Sequence, residues 1–103
     1  MKESIGAKTF LYPCPAVAVG TYDANGKPNM MAVAWTGVVN GRPASLSISV
    51  RKQTYTYGNL MAKQAFTVNI ASQEYLEQLD YFGKTSGRDT DKFAETGLTP
   101  VRS

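Results

Sequence analysis

The amino-acid sequence predicts one mainly β domain with short helices, covering residues 1–103. Three observations predict this class: an Asn-Gly turn between two β-branched runs, a strand in which serine alternates with apolar residues, and helical spacings confined to short stretches. Hydrophobic residues make up 43% of the chain and charged residues 18%. That composition is typical of a globular domain.

The N-terminal half is predicted to form three strands, over residues 16–22, 30–39 and 45–50. The connection that contains Asn25 and Gly26 has the chemistry of a tight turn, so the first two runs are predicted to pair as an antiparallel hairpin. In the third run serine occupies one face and apolar residues the other. The pattern leaves open whether the serine face is exposed to water or lines a polar pocket.

Short helices are predicted in the second half. Apolar spacing predicts one helix over residues 54–65, followed by a fourth strand over residues 66–70. A second helix is predicted to begin after a capping residue, Ser72, and to end at Gly83.

A third helix is predicted over residues 90–96, with Asp89 as its N-cap and Gly97 just beyond its end. Residues 98–103 predict the start of another strand. The four preceding strands leave two sheet edges and are too few to close a barrel. We therefore expect either an open fold or, preferably, one that another chain or segment completes.

The residue inventory restricts the chemistry. Histidine is absent and Cys14 is the single cysteine, which excludes a disulfide framework, a zinc site of the Cys/His type and histidine bases. We expect Cys14 to be structural and any reaction to depend on a cofactor. The net charge of +3 favours small anionic ligands over nucleic acid. No apolar run or leader predicts a membrane span or export, so we expect a cytoplasmic protein.

An anion site is predicted at residues 49–56, where a strand leads into a helix. Amides at a helix N-terminus lack partners within the helix and carry partial positive charge, and Arg51 and Lys52 add full charges. Threonine hydroxyls at the same place can donate to phosphate oxygens. The alternative interpretation is an ordinary capping threonine beside two solvated cations.

Two further segments are candidates for ligand contact. Trp35 lies beside a small residue and a hydroxyl near a strand end, so residues 34–37 could approach a flat aromatic ligand, although a core role for the tryptophan is the alternative. The second candidate is made of residues 80–83 and 86–93, where a loop with Ser86, Gly87 and Lys92 could fold over a ligand. Its alternative is a solvated connection between two helices.

The ordered set of motifs resembles the flavin reductase-like family, particularly its flavoredoxin members. The matching pieces are Thr9-Phe10-Leu11-Tyr12-Pro13 with Pro15, Gly20-Thr21-Tyr22-Asp23, Gly26-Lys27-Pro28-Asn29, Ala32-Val33-Ala34-Trp35, Ser49-Val50-Arg51, Tyr55-Thr56, Phe66-Thr67-Val68-Asn69-Ile70, Asp80-Tyr81-Phe82-Gly83, Ser86-Gly87-Arg88, Asp91-Lys92-Phe93 and Thr96-Gly97-Leu98-Thr99-Pro100. They extend over nearly the whole chain.

The resemblance implies an FMN-binding split β-barrel that works as a homodimer. By position, it places Ala34, Trp35 and Thr36 along the isoalloxazine ring, and Ser49, Val50 and Arg51 along the ribityl and phosphate path. It also assigns phosphate binding to Thr54, Tyr55 and Thr56, with Ser86 and Lys92 contributed by the later loop. Family members are longer than this chain, which would therefore be the N-terminal portion of the domain.

The activity implied by the resemblance is hydride transfer from NADH or NADPH to bound FMN and then to an electron acceptor. Because the flavin supplies the electronic chemistry, no catalytic side chain and no metal are expected. One alternative is an FMN-binding electron carrier without NAD(P)H turnover. Another is a non-catalytic barrel fragment that assembles with a partner. We expect no membrane or nucleic-acid partner.

Overall fold

The computed structural model describes residues 2–9 and 14–100. The predicted class, mainly strands with short helices, is confirmed. The strands are β1 (Val17–Tyr22), β2 (Pro28–Val33), β3 (Thr36–Gly41), β4 (Ala44–Ile48) and β5 (Thr67–Asn69). The helices are α1 (Tyr55–Lys63), α2 (Leu76–Lys84), which follows a 3-10 turn at Gln73–Tyr75, and α3 (Lys92–Thr96).

Strand β1 is the centre of an antiparallel three-stranded sheet with the order β2-β1-β5. The predicted first hairpin is present, because β1 pairs with β2 from Val17 opposite Val33 to Tyr22 opposite Pro28. Asp23 stabilises the connection, since its Oδ1 accepts hydrogen bonds from the amides of Asn25 at 2.8 Å and Lys27 at 2.9 Å. Helix α1 packs on this sheet, against β1 and β2.

The prediction of one strand over residues 30–39 is wrong. The chain leaves the first sheet after Val33, and β3 begins at Thr36 and pairs with β4 in a separate two-stranded sheet. The run over residues 30–39 is apolar apart from Thr36 and Gly37, and such a run does not reveal a change of partner, because the residues on either side of the break are suited to strands. The break places Trp35 at the junction between the two sheets.

The core is small: a cluster of valines lies on one face of the three-stranded sheet, and Ala18 and Phe82 are buried on the other. Val17, Val19 and Val33 are buried, and Ile48 from β4 packs against them. Much apolar surface elsewhere is exposed, including Val38, whose exposed fraction is 83%. Of the serine face, Ser47 and Ser49 are exposed and Ser45 is half-buried, while Leu46 on the apolar face is exposed as well. Both interpretations of the serine face therefore stay open.

Two predicted helix boundaries are wrong. Gly83 does not end α2; it lies inside the helix, where a Cβ would come within 3.3 Å of Ala32 Cβ, so the missing side chain permits close packing on β2. The N-cap of α3 is Asp91 and not Asp89, because Asp91 Oδ1 accepts from the amide of Ala94 at 3.2 Å. The amide of Asp89 instead closes a turn onto the Ser86 oxygen.

The other predicted ends move less. The first helix covers Tyr55–Lys63 within the predicted residues 54–65, and Ser72 precedes the 3-10 turn without a side-chain cap bond. Residues 97–100 form no strand, and the remainder of the strand predicted over residues 98–103 lies outside the described residues, as do residues 10–13 of the first motif. Within residues 2–9 and 14–100, no helix is long and apolar enough to cross a membrane.

Candidate functional site

The predicted anion site lies at the start of α1, where a tight turn precedes the helix. The amide and hydroxyl of Thr54 both donate to the Arg51 oxygen, at 3.1 and 2.8 Å. Thr54 is the N-cap, because its Oγ1 also accepts from the amide of Tyr57 at 3.2 Å. Helix geometry leaves the amides of Tyr55 and Thr56 without partners inside the helix. The capping threonine of the alternative interpretation is therefore present at Thr54, together with first-turn donors.

Two exposed cations directly precede this first turn. Arg51 and Lys52 are both exposed in the turn before α1, and α1 has no acidic residue in its first turn. The partial positive charge of the helix start and these two side chains therefore have the same sign. A small anion is favoured at this position.

The two segments predicted to lie along the flavin ring and the ribityl chain meet at the open end of the β3–β4 hairpin. The amide of Ser49 donates to the Trp35 oxygen at 2.9 Å, and Thr36 Oγ1 donates to the Ser47 oxygen at 2.7 Å. Trp35 has an exposed fraction of 50%, so it is not a core residue in this structure. Its neighbour Ala34 is exposed as well.

The loop over residues 86–90 lies against the start of α1. Arg88 Nη1 donates to the main-chain oxygen of Gln53 at 2.8 Å. A Cβ built on Gly87 would lie 2.6 Å from Tyr55 Cδ1, so only glycine allows the loop this close to the helix. The hydroxyl of Ser86 accepts from the Arg88 amide at 3.2 Å. The structure thus brings the predicted loop to the predicted anion site.

Tyr55 connects the helix start to the first hairpin turn. Its hydroxyl donates to Asp23 Oδ2 at 3.1 Å. Burial, followed by this hydrogen bond, raises the pKa of Tyr55 above its ordinary value. The pKa of Asp23 is lowered, chiefly because the carboxylate accepts from the Lys27 amide. A neutral phenol and an ionised carboxylate are the states that this bond requires.

Two buried amide–hydroxyl pairs hold α1 on the sheet. Asn29 Nδ2 in β2 donates to Thr56 Oγ1 at 3.3 Å, and Asn59 Nδ2 donates to Thr21 Oγ1 in β1 at 3.0 Å. Thr56 has an exposed fraction of 1%, so its hydroxyl faces the sheet and its main-chain amide is the part that belongs to the helix start. Its predicted contact with phosphate remains a prediction.

Lys92 is the first residue of α3, and its side chain lies in the interior rather than on the loop. Its exposed fraction is 3%, and Nζ donates to the oxygens of Met30 at 2.7 Å and Phe82 at 2.9 Å. Burial lowers the pKa of this amine to about 8. The ammonium joins β2, α2 and α3, and its predicted cofactor contact is not tested by these bonds.

A separate cavity of about 500 Å³ lies between the three-stranded sheet and helices α2 and α3. Its walls include Phe66, Leu79, Phe82 and Phe93. None of the predicted site residues lines it. The predicted site is therefore a surface region at the start of α1 rather than this cavity.

Sequence reasoning missed the connecting roles of Asn29, Gly87 and Arg88. All three are in motifs that carried the resemblance, but they have no pattern of their own that predicts contact with α1. The available signal was the glycine before Arg88 in a loop, since glycine marks close approach of a backbone. Asn29 gave no such signal because its partner Thr56 is distant in sequence.

The chain belongs to the flavin reductase-like family. A sequence model of the flavin reductase like domain matches residues 9–103, which is most of the chain.

Solved structures support the same assignment. Flavoredoxin of Desulfovibrio vulgaris (Miyazaki F) is 48% identical, with a TM-score of 0.92 over all of this chain and 56% of that chain. A putative flavin reductase with a split barrel domain from Shewanella frigidimarina is 27% identical, with a TM-score of 0.78 over 87% of this chain and 46% of that one. An FMN-binding domain of a flavin reductases-like enzyme from Shewanella baltica is 25% identical, with a TM-score of 0.75 over 81% of this chain and 44% of that one. The fold is that of the split barrels.

The match extends over only part of each relative. An uncharacterised protein of Aquifex aeolicus is 30% identical over 96 residues, which are 88% of this chain and 49% of the relative. The chain therefore spans about half the length of the proteins it matches.

Proposed function

We propose that this protein is an FMN-dependent oxidoreductase that accepts hydride from NADH or NADPH. The observation that carries the proposal is the meeting of residues 49–56 and 86–88 at one helix start, with Arg51, Lys52 and Arg88 as cations. Membership of the flavin reductase-like family supports a flavin, and the relative from Shewanella baltica that is described as FMN-binding supports FMN.

The residues at this site fit the phosphate of FMN. A phosphate monoester needs several donors and positive charge, and the first-turn amides of Tyr55 and Thr56 supply donors. Arg51 supplies a planar guanidinium, which suits two phosphate oxygens at once. Ser86 lies in the adjoining loop, whereas the hydroxyl proton of Thr54 is already donated to the Arg51 oxygen. We assign the phosphate to this turn.

The ring is proposed to lie by residues 34–36, beside the half-exposed indole of Trp35. The flavin would itself accept the hydride, which is the chemistry that the cofactor supplies when bound. The protein's residues then bind and orient the rings: Ser49 and Val50 connect the ring region to the phosphate turn. No side chain of this site is assigned as a proton donor, because positioning of the two ring systems carries the catalysis.

A second candidate is an FMN-binding electron carrier without NAD(P)H turnover. The strong similarity to a flavoredoxin favours it. The two candidates use the same residues and differ only in whether a nicotinamide reaches the ring. A homodimer is also proposed, since exposed apolar side chains such as Val38 and Val39 form surface that a second copy would cover.

Anaerobic titration of the FMN-loaded protein with NADH and, separately, NADPH tests the proposal. We expect the flavin absorbance to bleach with one equivalent of the preferred nicotinamide. If dithionite bleaches the bound flavin but neither NADH nor NADPH does, the protein is the electron carrier of the second candidate. Failure of the protein to bind any flavin would contradict both candidates.

A further inference from the structure

We infer that Asn29 is a positioning residue for the phosphate site: its carboxamide holds the first turn of α1 and the loop over residues 86–88 at a set distance from each other. The inference rests on the function proposed above and assigns what keeps that site in shape. Asn29 itself lies beneath the proposed site and is not assigned any contact with the flavin.

The two ends of the carboxamide face different segments. Asn29 has an exposed fraction of 4%, and Nδ2 donates to Thr56 Oγ1 in the first turn of α1 at 3.3 Å. On the other side, a Cβ built on Gly87 would lie 2.5 Å from Asn29 Oδ1. The loop backbone at Gly87 therefore packs directly against the carboxamide, whose other end holds the first turn of α1 through Thr56.

The same glycine also lies against the ring of Tyr55, so β2, α1 and the loop share one contact region. Arg88 follows this glycine and donates to the Gln53 oxygen before the helix. The separation of the Arg88 guanidinium from the amides of Tyr55 and Thr56 thus depends on the side chain beneath them. Donors to a phosphate must converge to hydrogen-bond distance, and supporting residues of this kind keep them there.

The chain contains a matched comparison. Asn59 is equally buried, with an exposed fraction of 4%, and makes the same kind of bond, from Nδ2 to Thr21 Oγ1 at 3.0 Å. It lies further along α1, and this bond reaches β1. An alanine at either position removes one buried amide–hydroxyl bond, but only the change at Asn29 removes the support beneath the loop.

The test compares the affinities for FMN and riboflavin, which lacks the phosphate, by quenching of flavin fluorescence. We expect Asn29→Ala to weaken FMN binding about tenfold while riboflavin affinity stays within about twofold of the wild-type value. Asn59→Ala should leave the ratio of the two affinities unchanged. The inference would be overturned if Asn29→Ala weakened the binding of FMN and riboflavin equally. It would also be overturned if Asn59→Ala lowered the ratio of the two affinities as much as Asn29→Ala does.

A second measurement needs no flavin. The amides of Asp89 and Thr90 bond to the Ser86 oxygen inside the loop, so their hydrogen exchange reports whether the loop keeps its shape. We expect Asn29→Ala to accelerate this exchange and Asn59→Ala to leave it unchanged, and exchange that is unaltered in Asn29→Ala would refute the positioning role. A wild-type protein that binds both flavins equally would contradict the proposed phosphate site, while the exchange rates would still decide the role of Asn29.

Discussion

The guanidinium of Arg88 donates through Nη1 to the main-chain oxygen of Gln53 at 2.8 Å, joining residues 35 positions apart in the sequence. The bond places a cation of the 86–90 loop beside the turn that starts α1. A guanidinium has five N–H donors, so the bond with Gln53 uses only part of its capacity. Arg88 is therefore suited both to fix the loop and to face an anion.

Replacing Arg88 tests this double role. We expect Arg88→Ala to weaken FMN binding by about three- to tenfold, because both a cation and the loop attachment are lost. Arg42→Ala is the control, since Arg42 is an exposed cation in the turn between β3 and β4. Isothermal titration with FMN measures both variants. The same affinity in Arg88→Ala and the wild type would argue against any part for Arg88 in the site.

Gly87 and Gly58 are a matched pair of positions for alanine. A Cβ at Gly87 would lie 2.5 Å from Asn29 Oδ1 and 2.6 Å from Tyr55 Cδ1. At Gly58, which is exposed within α1, a Cβ would meet nothing within 4 Å beyond its chain neighbours and the backbone of its own helix. We expect Gly87→Ala to lower the free energy of unfolding and Gly58→Ala to raise it by about 0.5–1 kcal/mol. Urea denaturation measures both. A Gly87→Ala variant as stable as the wild type would show that the loop does not lie this close to the helix.

Thr54 contributes to stability as the N-cap of α1. Because its Oγ1 accepts from the amide of Tyr57, we expect Thr54→Ala to lower the free energy of unfolding by about 1 kcal/mol and Thr54→Ser to retain most of it. Ser72 also precedes a helical turn but makes no side-chain cap bond, so Ser72→Ala should change stability little. Thermal unfolding followed by circular dichroism compares the three variants. Equal losses in Thr54→Ala and Ser72→Ala would contradict the capping role.

The buried amine of Lys92 is expected to make the free energy of unfolding depend on pH. Burial lowers the pKa of its amine from the ordinary 10.5 to about 8 in the folded protein. Between these values the unfolded chain binds a proton that the folded protein does not, so this group makes stability rise with pH above about 8. Below that pH both states are charged, and its contribution is constant.

The measurement is urea denaturation from pH 7 to pH 10 for the wild type, Lys92→Met and the exposed control Lys63→Met. Lys92→Met should be less stable at every pH, since the Met30 and Phe82 oxygens lose their donor. The stability difference between it and the wild type should widen above pH 8. A constant difference across this range would show that the buried amine does not titrate there.

Local signals predicted the hairpin over β1 and β2 and the approximate positions of α1, α2 and α3. The predicted helix boundaries were wrong where one residue type can serve two structural roles. Asp89 and Asp91 are both good caps, but the turn that bonds Asp89 to the Ser86 oxygen leaves Asp91 to start α3. Gly83 has the chemistry of a helix end, yet close packing against Ala32 keeps it inside α2.

The site was predictable in its parts but not in its assembly. Charge, hydroxyls and the strand-to-helix step predicted residues 49–56 from local chemistry. The bonds from Asn29 to Thr56 and from Arg88 to Gln53 join residues far apart in the sequence, and no local pattern specifies such pairs. The prediction of one continuous strand over residues 30–39 was wrong for the same reason, since strand partners are set by tertiary packing.

The affinity of the wild-type protein for FMN relative to riboflavin, repeated in Arg51→Ala, tests most directly whether the start of α1 binds a phosphate. We expect FMN to bind more tightly than riboflavin, and Arg51→Ala to remove about 1.5–3 kcal/mol of that preference, as a charge-assisted contact would. Lys63→Ala, at the other end of the same helix, should retain the full preference. Equal affinities for the two flavins in the wild type, or an undiminished preference in Arg51→Ala, would contradict the account.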